Sequence, residues 1–278
     1  MAFWDKIGSS GDVEDRRGLG GGGLAVGGVG GLVLFLAMAF LSSQGVDTSM
    51  FNQLLGPIEQ TKTTTQYDGK DEYEVFTGKV VGSNNELWKG IFATQSKEYA
   101  EPKLVLFRDY TPSACGGASA AVGPHYCPYD QTIYMDERFF AQLKQLGGDT
   151  GDVAQAYVIS HEVGHHVQNQ LGSLESVTAA QQTNPEEANA LSVRLELQAD
   201  CYAGLWMNSL SRTDVLEPNE IKEALSAAAA VGDDRVQETS GGRVNPENWT
   251  HGSSADRVKW FNRGYESGQV SRCNTVEG

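Results

Sequence analysis

His161-Glu162-Val163-Gly164-His165-His166 is the stretch from which the rest of this 278-residue chain can be read, and it holds three of the five histidines. On a helix, His161 and His165 are four positions apart and project from one face, one turn apart. Two imidazoles so placed can share one zinc ion and leave positions for a third ligand and a water. Glu162 stands one step round the helix, where its carboxylate can reach that water as a general base. The pattern makes a demand on the remainder of the chain: a third ligand, on a later element that packs against this helix.

The helix itself is well marked. Gly148, Asp149, Thr150 and Asp152 supply a turn and N-caps, and the run extends to Leu171, with Gly172 as its stop. Val153, Ala156, Tyr157, Ile159 and Val163 make it apolar over much of its circumference, so it should be buried. A buried helix carrying two histidines and a glutamate needs something to compensate them, and a metal does so. Gly164 costs roughly 1 kcal/mol against alanine in a helix, which a close approach by another backbone or by the metal site would explain. His166 lies about 140° round the helix from His161, which makes His165 the ligand and His166 either a flanking group or one that supports a ligand from behind.

The third ligand is expected on the next helix, which Asn184-Pro185-Glu186-Glu187 starts with an N-cap, a proline in the first turn and acids at the positive dipole end. Leu191, Leu195, Ala199, Tyr202 and Trp206 mark its buried stripe, and packing accounts for Tyr202 there. Beside the stripe lie Glu196 and Asp200, four apart on one face. A solvated acidic edge, paired with Arg194 or another base, would be the plain explanation. The upstream motif favours another: Glu196 as zinc ligand, and Asp200 as hydrogen-bond partner to a ligand histidine.

Charge and cysteines narrow the setting. A net charge of -15 argues against nucleic acid or an anionic membrane surface as a partner. Cys115, Cys127, Cys201 and Cys273 include no CxxC pair, which disfavours a zinc ribbon. In an oxidising compartment, separation suggests Cys115 with Cys127, pinning a loop, and Cys201 with Cys273, tying the tail to a helix. No charged residue occurs between Arg17 and Asp47, and Leu24 to Leu41 is wholly apolar or glycine, long enough for a spanning helix. Lys6, Arg16 and Arg17 precede it, so the amino terminus is expected in the cytoplasm and the long remainder outside. A cleaved signal peptide, or a twin-arginine signal at Arg16-Arg17, is the rival. Ala37-Met38-Ala39 falls inside the apolar run rather than after it, which favours an uncleaved anchor.

Between anchor and motif, the polar residues 44–71 read as a tether with one short helical piece at Met50–Leu55. A helix is expected from Ser83-Asn84, carrying Leu87, Trp88, Ile91 and Phe92 at helical spacing. Lys103–Phe107 and Thr132–Met135 are strand candidates. The first disulfide would staple the glycine-rich loop 110–130 between them, where His125 reads as a solvated turn residue. Glu137–Leu146 should be helical. In zinc proteases a strand beside the active helix binds the substrate backbone, and either Thr132–Met135 or the loop before it could do so here. Beyond the third ligand, Glu217–Val231 reads as a helix, 233–246 as a loop, and Val258, Trp260 and Phe261 as part of a helix ending near Gly264. His251, just before that helix, is a candidate oxyanion-stabilising group, with capping or packing on the helix as the alternative.

Taken together, His161-Glu162-x-x-His165 with Glu196-Leu197-Gln198-Ala199-Asp200-Cys201 resembles zinc proteases with a glutamate third ligand. More closely, the chain resembles the bacterial, membrane-anchored neutral zinc metallopeptidase family. The likeness extends from Val13-Glu14-Asp15-Arg16-Arg17-Gly18 through Pro102–Phe107 and Tyr126-Cys127-Pro128 to Thr250-His251-Gly252-Ser253-Ser254. It implies an α+β fold, mainly helical and zincin-like with a small sheet, plus one N-terminal transmembrane helix. The expected division is a cytoplasmic tail (1–23), an anchor (24–43), an exported tether (44–82) and a zinc peptidase domain (83–278). The function expected is hydrolysis of protein or peptide substrates outside the cytoplasmic membrane, with Zn2+ on His161, His165 and Glu196, and Glu162 as base. A zinc-stabilised envelope protein without hydrolytic activity, and a hydrolase of a cell-wall amide, are the alternatives.

Overall fold

Strand β3 (Lys103–Leu106) and strand β7 (Thr132–Met135) form the centre of a five-stranded sheet completed by β1 (Asp12–Asp15), β2 (Thr65–Gln66) and β6 (His125–Cys127), in the order β2-β1-β3-β7-β6. The computed structural model describes residues 2–18, 65–66, 71–120, 122–241 and 243–275. The expected span 24–43 and the helical piece at Met50–Leu55 lie outside the described residues. Among the described residues, no helix is long and apolar enough to cross a membrane.

Strands β1 (Asp12–Asp15), β3 and β7 are parallel, with Val13 opposite Leu104 and Leu104 opposite Ile133. The short strands β2 (Thr65–Gln66) and β6 (His125–Cys127) add antiparallel edges. Both faces of the centre are covered, which is why its strands are continuous rather than alternating in burial. Leu104, Leu106, Ile133 and Met135 face the main core, while Val105, Phe107 and Tyr134 pack on Ala118 and Cys127. Ala118 belongs to a hairpin of β4 (Tyr110–Ser113) and β5 (Gly116–Ser119). The stretch expected as one loop thus holds a hairpin and an edge strand, pinned by the Cys115–Cys127 disulfide.

Eight helices of the α type follow among the described residues: α1 (Glu72–Thr94), α2 (Phe139–Gln145), α3 (Asp152–Leu171), α4 (Ser173–Thr183), α5 (Ala188–Ser211), α6 (Ile221–Ala230), α7 (Asp233–Thr239) and α8 (Ser254–Ser267). The protein is α+β and mostly helical, with its main core between the sheet and α1, α3, α5, α6 and α8. Helix α1 begins well before Ser83, because Asp71 caps it. The Asp71 side chain accepts from the Tyr73 and Glu74 amides, while Glu74 reaches back to the Asp71 amide, a capping box. Helices α4 and α7, the latter within the expected loop 233–246, carry no strong apolar periodicity of their own.

The folded unit also takes in residues set apart above as a tail. Phe3, Ile7 and Val13 are buried in the main core, and the Gly11 amide donates to the Gly78 carbonyl. Arg17 makes ion pairs with Asp15, Asp71 and Glu137, joining β1 to the cap of α1 and to the chain leaving β7.

Helices α5 and α8 meet almost backbone to backbone. A Cβ on Gly204 would run into the Phe261 carbonyl oxygen, and one on Gly264 into the Cys201 carbonyl oxygen. The Cys201–Cys273 disulfide, spanning 72 positions, ties the C-terminal turn to the same place on α5. Gly204→Ala and Gly264→Ala are each expected to lower unfolding stability by about 1–3 kcal/mol or more, because the overlap is with backbone that cannot step aside. Denaturant melts of the two variants test this, and an unchanged midpoint for both would contradict the close crossing.

Candidate metal centre

Helix α3 starts at a turn in which the Asp149 carboxylate accepts the amides of Thr150 and Gly151, and it ends at Gly172 in the left-handed region. Helix α5 crosses it where a Cβ on Gly164 would lie 3.0 Å from the Ala199 Cα. That contact is the close backbone approach anticipated from a glycine in mid-helix. It brings Glu196 and Asp200 opposite His161 and His165.

Glu196 sits between the two imidazoles. Its Oε2 is 3.1 Å from His161 Nε2 and its Oε1 is 3.3 Å from His165 Nε2. The ligand atoms of His161, His165 and Glu196 all lie within 4.8 Å of one another, and these three are the metal-capable group found among the described residues. Glu162 is buried beside them, and its charge acts on His165.

Each ligand imidazole is held from behind. His161 Nδ1 donates to Asp200 Oδ1 at 2.9 Å, and His165 Nδ1 donates to Gln168 Oε1 at 2.9 Å. With both Nδ1 atoms engaged as donors, both Nε2 atoms turn towards Glu196. Two nitrogens and one carboxylate, each histidine fixed by a partner on its far nitrogen, match the donor set of a zinc site that keeps a position open.

Behind Asp200 stands an ionic network. Tyr157 OH donates to Asp200 Oδ1 at 2.5 Å, and Arg257 donates from Nε to Oδ2 at 2.8 Å and from Nη2 to Oδ1 at 3.0 Å. Behind Gln168 the network is neutral: its Nε2 donates to the Leu195 carbonyl and to Gln198 Oε1, and Gln198 Nε2 donates to the Cys273 carbonyl. Neither Gln168, Tyr157 nor Arg257 was expected from sequence. Gln168 is three residues from His165, and Tyr157 four from His161, so helical spacing pointed to both. Arg257 has no local signal, since only the packing of α8 brings it to Asp200.

The charges follow from these contacts. Burial opposes protonation of His161, but the Asp200 charge and hydrogen bond, with Glu196, raise its pKa to about 10. His165 is also raised, against burial, by Glu196. Burial favours the neutral form of Asp200, yet the Arg257 charge followed by His161 holds it down to about 2. Glu196 is held well below the usual carboxylate range, burial being outweighed by His165 and His161. A cation between the two Nε2 atoms competes with the protons that these carboxylates attract.

The remaining histidines stand apart from this group. His166 is fully buried on another face of α3, where its Nε2 donates to the Ala100 carbonyl at 2.7 Å and its Nδ1 accepts from Tyr126 OH at 2.9 Å. It pins α3 to β6. His125 is in β6 rather than in a solvated turn, with its ring stacked on Tyr134. His251 is exposed and pairs through Nδ1 with Asp233 Oδ1 at 3.2 Å, while Asp233 Oδ2 accepts the amides of Thr250, His251 and Gly252. Gly252 packs on Val193 and Leu197, which places this loop beside the segment of α5 that carries Glu196.

The sequence profile of the family described as "Putative neutral zinc metallopeptidase" matches residues 2–276. The chain belongs to this family. The "Uncharacterized protein YpfJ" of Escherichia coli (strain K12) is 42% identical over 283 residues, covering 98% of each chain. The "Uncharacterized protein Rv2575" of Mycobacterium tuberculosis (strain H37Rv) is 43% identical over 221 residues, covering 74% of this chain and 73% of that one. No solved structure matches. Zinc is the metal that the family and the His161, His165 and Glu196 group both indicate.

Burial lowers the pKa of His166 to about 4 from an ordinary value of 6.5. Because its folded value is depressed, the unfolded chain takes up a proton first as the pH falls. Stability should therefore drop between about pH 6.5 and 4, by on the order of 3 kcal/mol from this group, and level off below. His166→Gln is expected to flatten that part of the stability profile, and an equally steep fall in the variant would show that other groups cause it.

Proposed function

We propose that this protein is a zinc-dependent peptidase with a zincin-like catalytic domain. The observation that carries the reading is the convergence of His161 Nε2, His165 Nε2 and the Glu196 carboxylate, with Glu162 buried next to them on α3. When bound, zinc supplies a Lewis acid that acidifies a water and polarises a peptide carbonyl. Glu162 takes the proton from the attacking water and delivers it to the leaving amine. His251, turned by Asp233, stabilises the negative charge that develops on the carbonyl oxygen. Among the described residues three ligands converge, whereas a purely structural zinc site closes its fourth position with a further ligand and has no use for a base. The same residues would serve a protein, a peptide or a cell-wall amide, and the family favours the first two.

The setting proposed is the outer side of the cytoplasmic membrane, with the mainly apolar stretch 24–43 as the attachment and, unlike the single-pass arrangement expected from the sequence, with both flanks of that stretch on the same side. Two disulfides support an oxidising compartment. The pairing of β1 with β3 supports a shared compartment for the segment before that stretch and for the metal centre.

Glu162→Gln should keep zinc and reduce peptide hydrolysis by at least two to four orders of magnitude, the usual reach of acid–base catalysis. Glu196→Ala should lose both zinc and activity. Elemental analysis alongside an assay on denatured protein substrate checks both, and parental turnover by the Glu162 variant would sink the mechanism. For the setting, protease-cleavable tags at the two ends are expected to be cut from the same, external side of intact cells. Cleavage of only one end would refute the shared compartment.

A further inference from the structure

Arg257 is almost completely enclosed, with 4% of its side chain exposed, and its two-point contact is with the carboxylate of Asp200, itself 0% exposed, while Glu196 Oε2 lies farther from Nη2, at 3.8 Å. A buried ion pair of this kind is weak evidence for stability, since well-packed apolar residues of similar volume do as well or better. The pair therefore calls for another role, and the neighbours of Asp200 show what it does. Oδ1 accepts from Tyr157 OH, His161 Nδ1 and Arg257 Nη2, while Oδ2 accepts from Arg257 Nε. Nε and Nη2 meet the carboxylate side-on, one nitrogen to each oxygen, so the plane of the carboxylate is set by the plane of the guanidinium. Arg257 is itself anchored, with Nη1 donating to the Val231 carbonyl at the end of α6.

We propose that Arg257 is a positioning residue of the metal centre: its guanidinium fixes Asp200, so that Asp200 Oδ1 holds the Nδ1–H of His161 and keeps Nε2 facing Glu196. The same contacts occupy both oxygens of Asp200 with four donors. Asp200 is four residues from Glu196 on the same helix, and without Arg257 its Oδ2 would lose its donor and could turn towards a cation, with only Oδ1 held by Tyr157 and His161. Arg257 thus makes one carboxylate of α5 an orienting group and leaves the other as the ligand. His165 provides the internal contrast. Its far nitrogen is held by the neutral Gln168, so a charge is not required merely to hold an imidazole in place.

This inference rests on the reading of His161, His165 and Glu196 as the zinc site, and the two can fail separately. Zinc affinity is measured by competition with a chromophoric chelator, and melting is measured without metal, for the parent, Arg257→Lys, Arg257→Met and Asp200→Asn/Arg257→Met. Arg257→Met alone leaves a buried carboxylate unpaired and is expected to melt well below the parent. The double variant removes both charges and should recover most of that loss, yet bind zinc about 10–100-fold more weakly, as when an outer partner of a ligand histidine is lost. Arg257→Lys keeps the charge without the planar fork and should fold while also binding zinc at least 10-fold more weakly. Parental zinc affinity in a folded double variant, or in Arg257→Lys, would overturn the positioning role and leave the pair as a structural one. Absence of zinc binding by the parent would instead overturn the site itself.

Discussion

The metal centre depends on how closely two helices can approach. Where α3 and α5 cross, Gly164 faces the backbone of Ala199, and the absence of a side chain lets the helices lie near enough for one carboxylate to touch two imidazoles. A glycine in mid-helix is unfavourable by itself, so the crossing has to repay it, and it does so by closing the site. On another side of α5 the arrangement recurs, with Gly204 and Gly264 admitting the backbone of α8. Helix α5 is thus held through main-chain contacts by two neighbours. The helix that carries the two acids is placed by backbone contacts rather than by side-chain spacers that could repack.

Burial then dictates the polar architecture. A charge removed from water must be paired or bound to a cation, and His161, Glu162, Asp200 and Arg257 are all buried. The result is a connected set in which α3 supplies Tyr157 and His161, α5 supplies Glu196 and Asp200, α8 supplies Arg257, and the end of α6 supplies a carbonyl. The second imidazole is reached from another direction, through Gln168 and Gln198 to the carbonyl of disulfide-bonded Cys273. Four helices and the C-terminal turn therefore meet at one small group of atoms. The fold and the site share their long-range contacts.

The sheet plays a different part. Its central strands are covered on one face by helices and on the other by the hairpin of the disulfide-pinned loop, so it is a buried platform rather than an exposed surface. His166 couples it to α3, because an imidazole with both nitrogens satisfied can bridge a strand's tyrosine and a loop carbonyl without carrying charge. On the far side of the platform, β1 comes from the beginning of the chain and is locked in by the ion pairs of Arg17. Residues flanking a long apolar stretch in sequence are neighbours in one sheet.

What could be read without coordinates was whatever repeats at helical spacing or follows from local chemistry. The pairing of His161 with His165, the demotion of His166, the strand at Thr132–Met135 and the stop at Gly172 all rest on relations within a few residues, while Glu196 and Asp200, four apart on one face, were singled out by the demand of the upstream motif. Both disulfide pairings were legible because four cysteines leave few partners. Less legible were β1, the hairpin and β6, which are short, polar or glycine-rich, and become strands only because a neighbour completes their hydrogen bonds. The capping box that starts α1 at Glu72 is a local signal, Asp71 followed three residues later by Glu74. The sequence by itself determined which side chains could bind a metal, since ligand type and the pitch of a helix are chemical and local properties. Only the tertiary structure decided that Arg257 stands behind Asp200 and that β1 joins the domain, because both are contacts between distant segments, made by packing rather than by spacing.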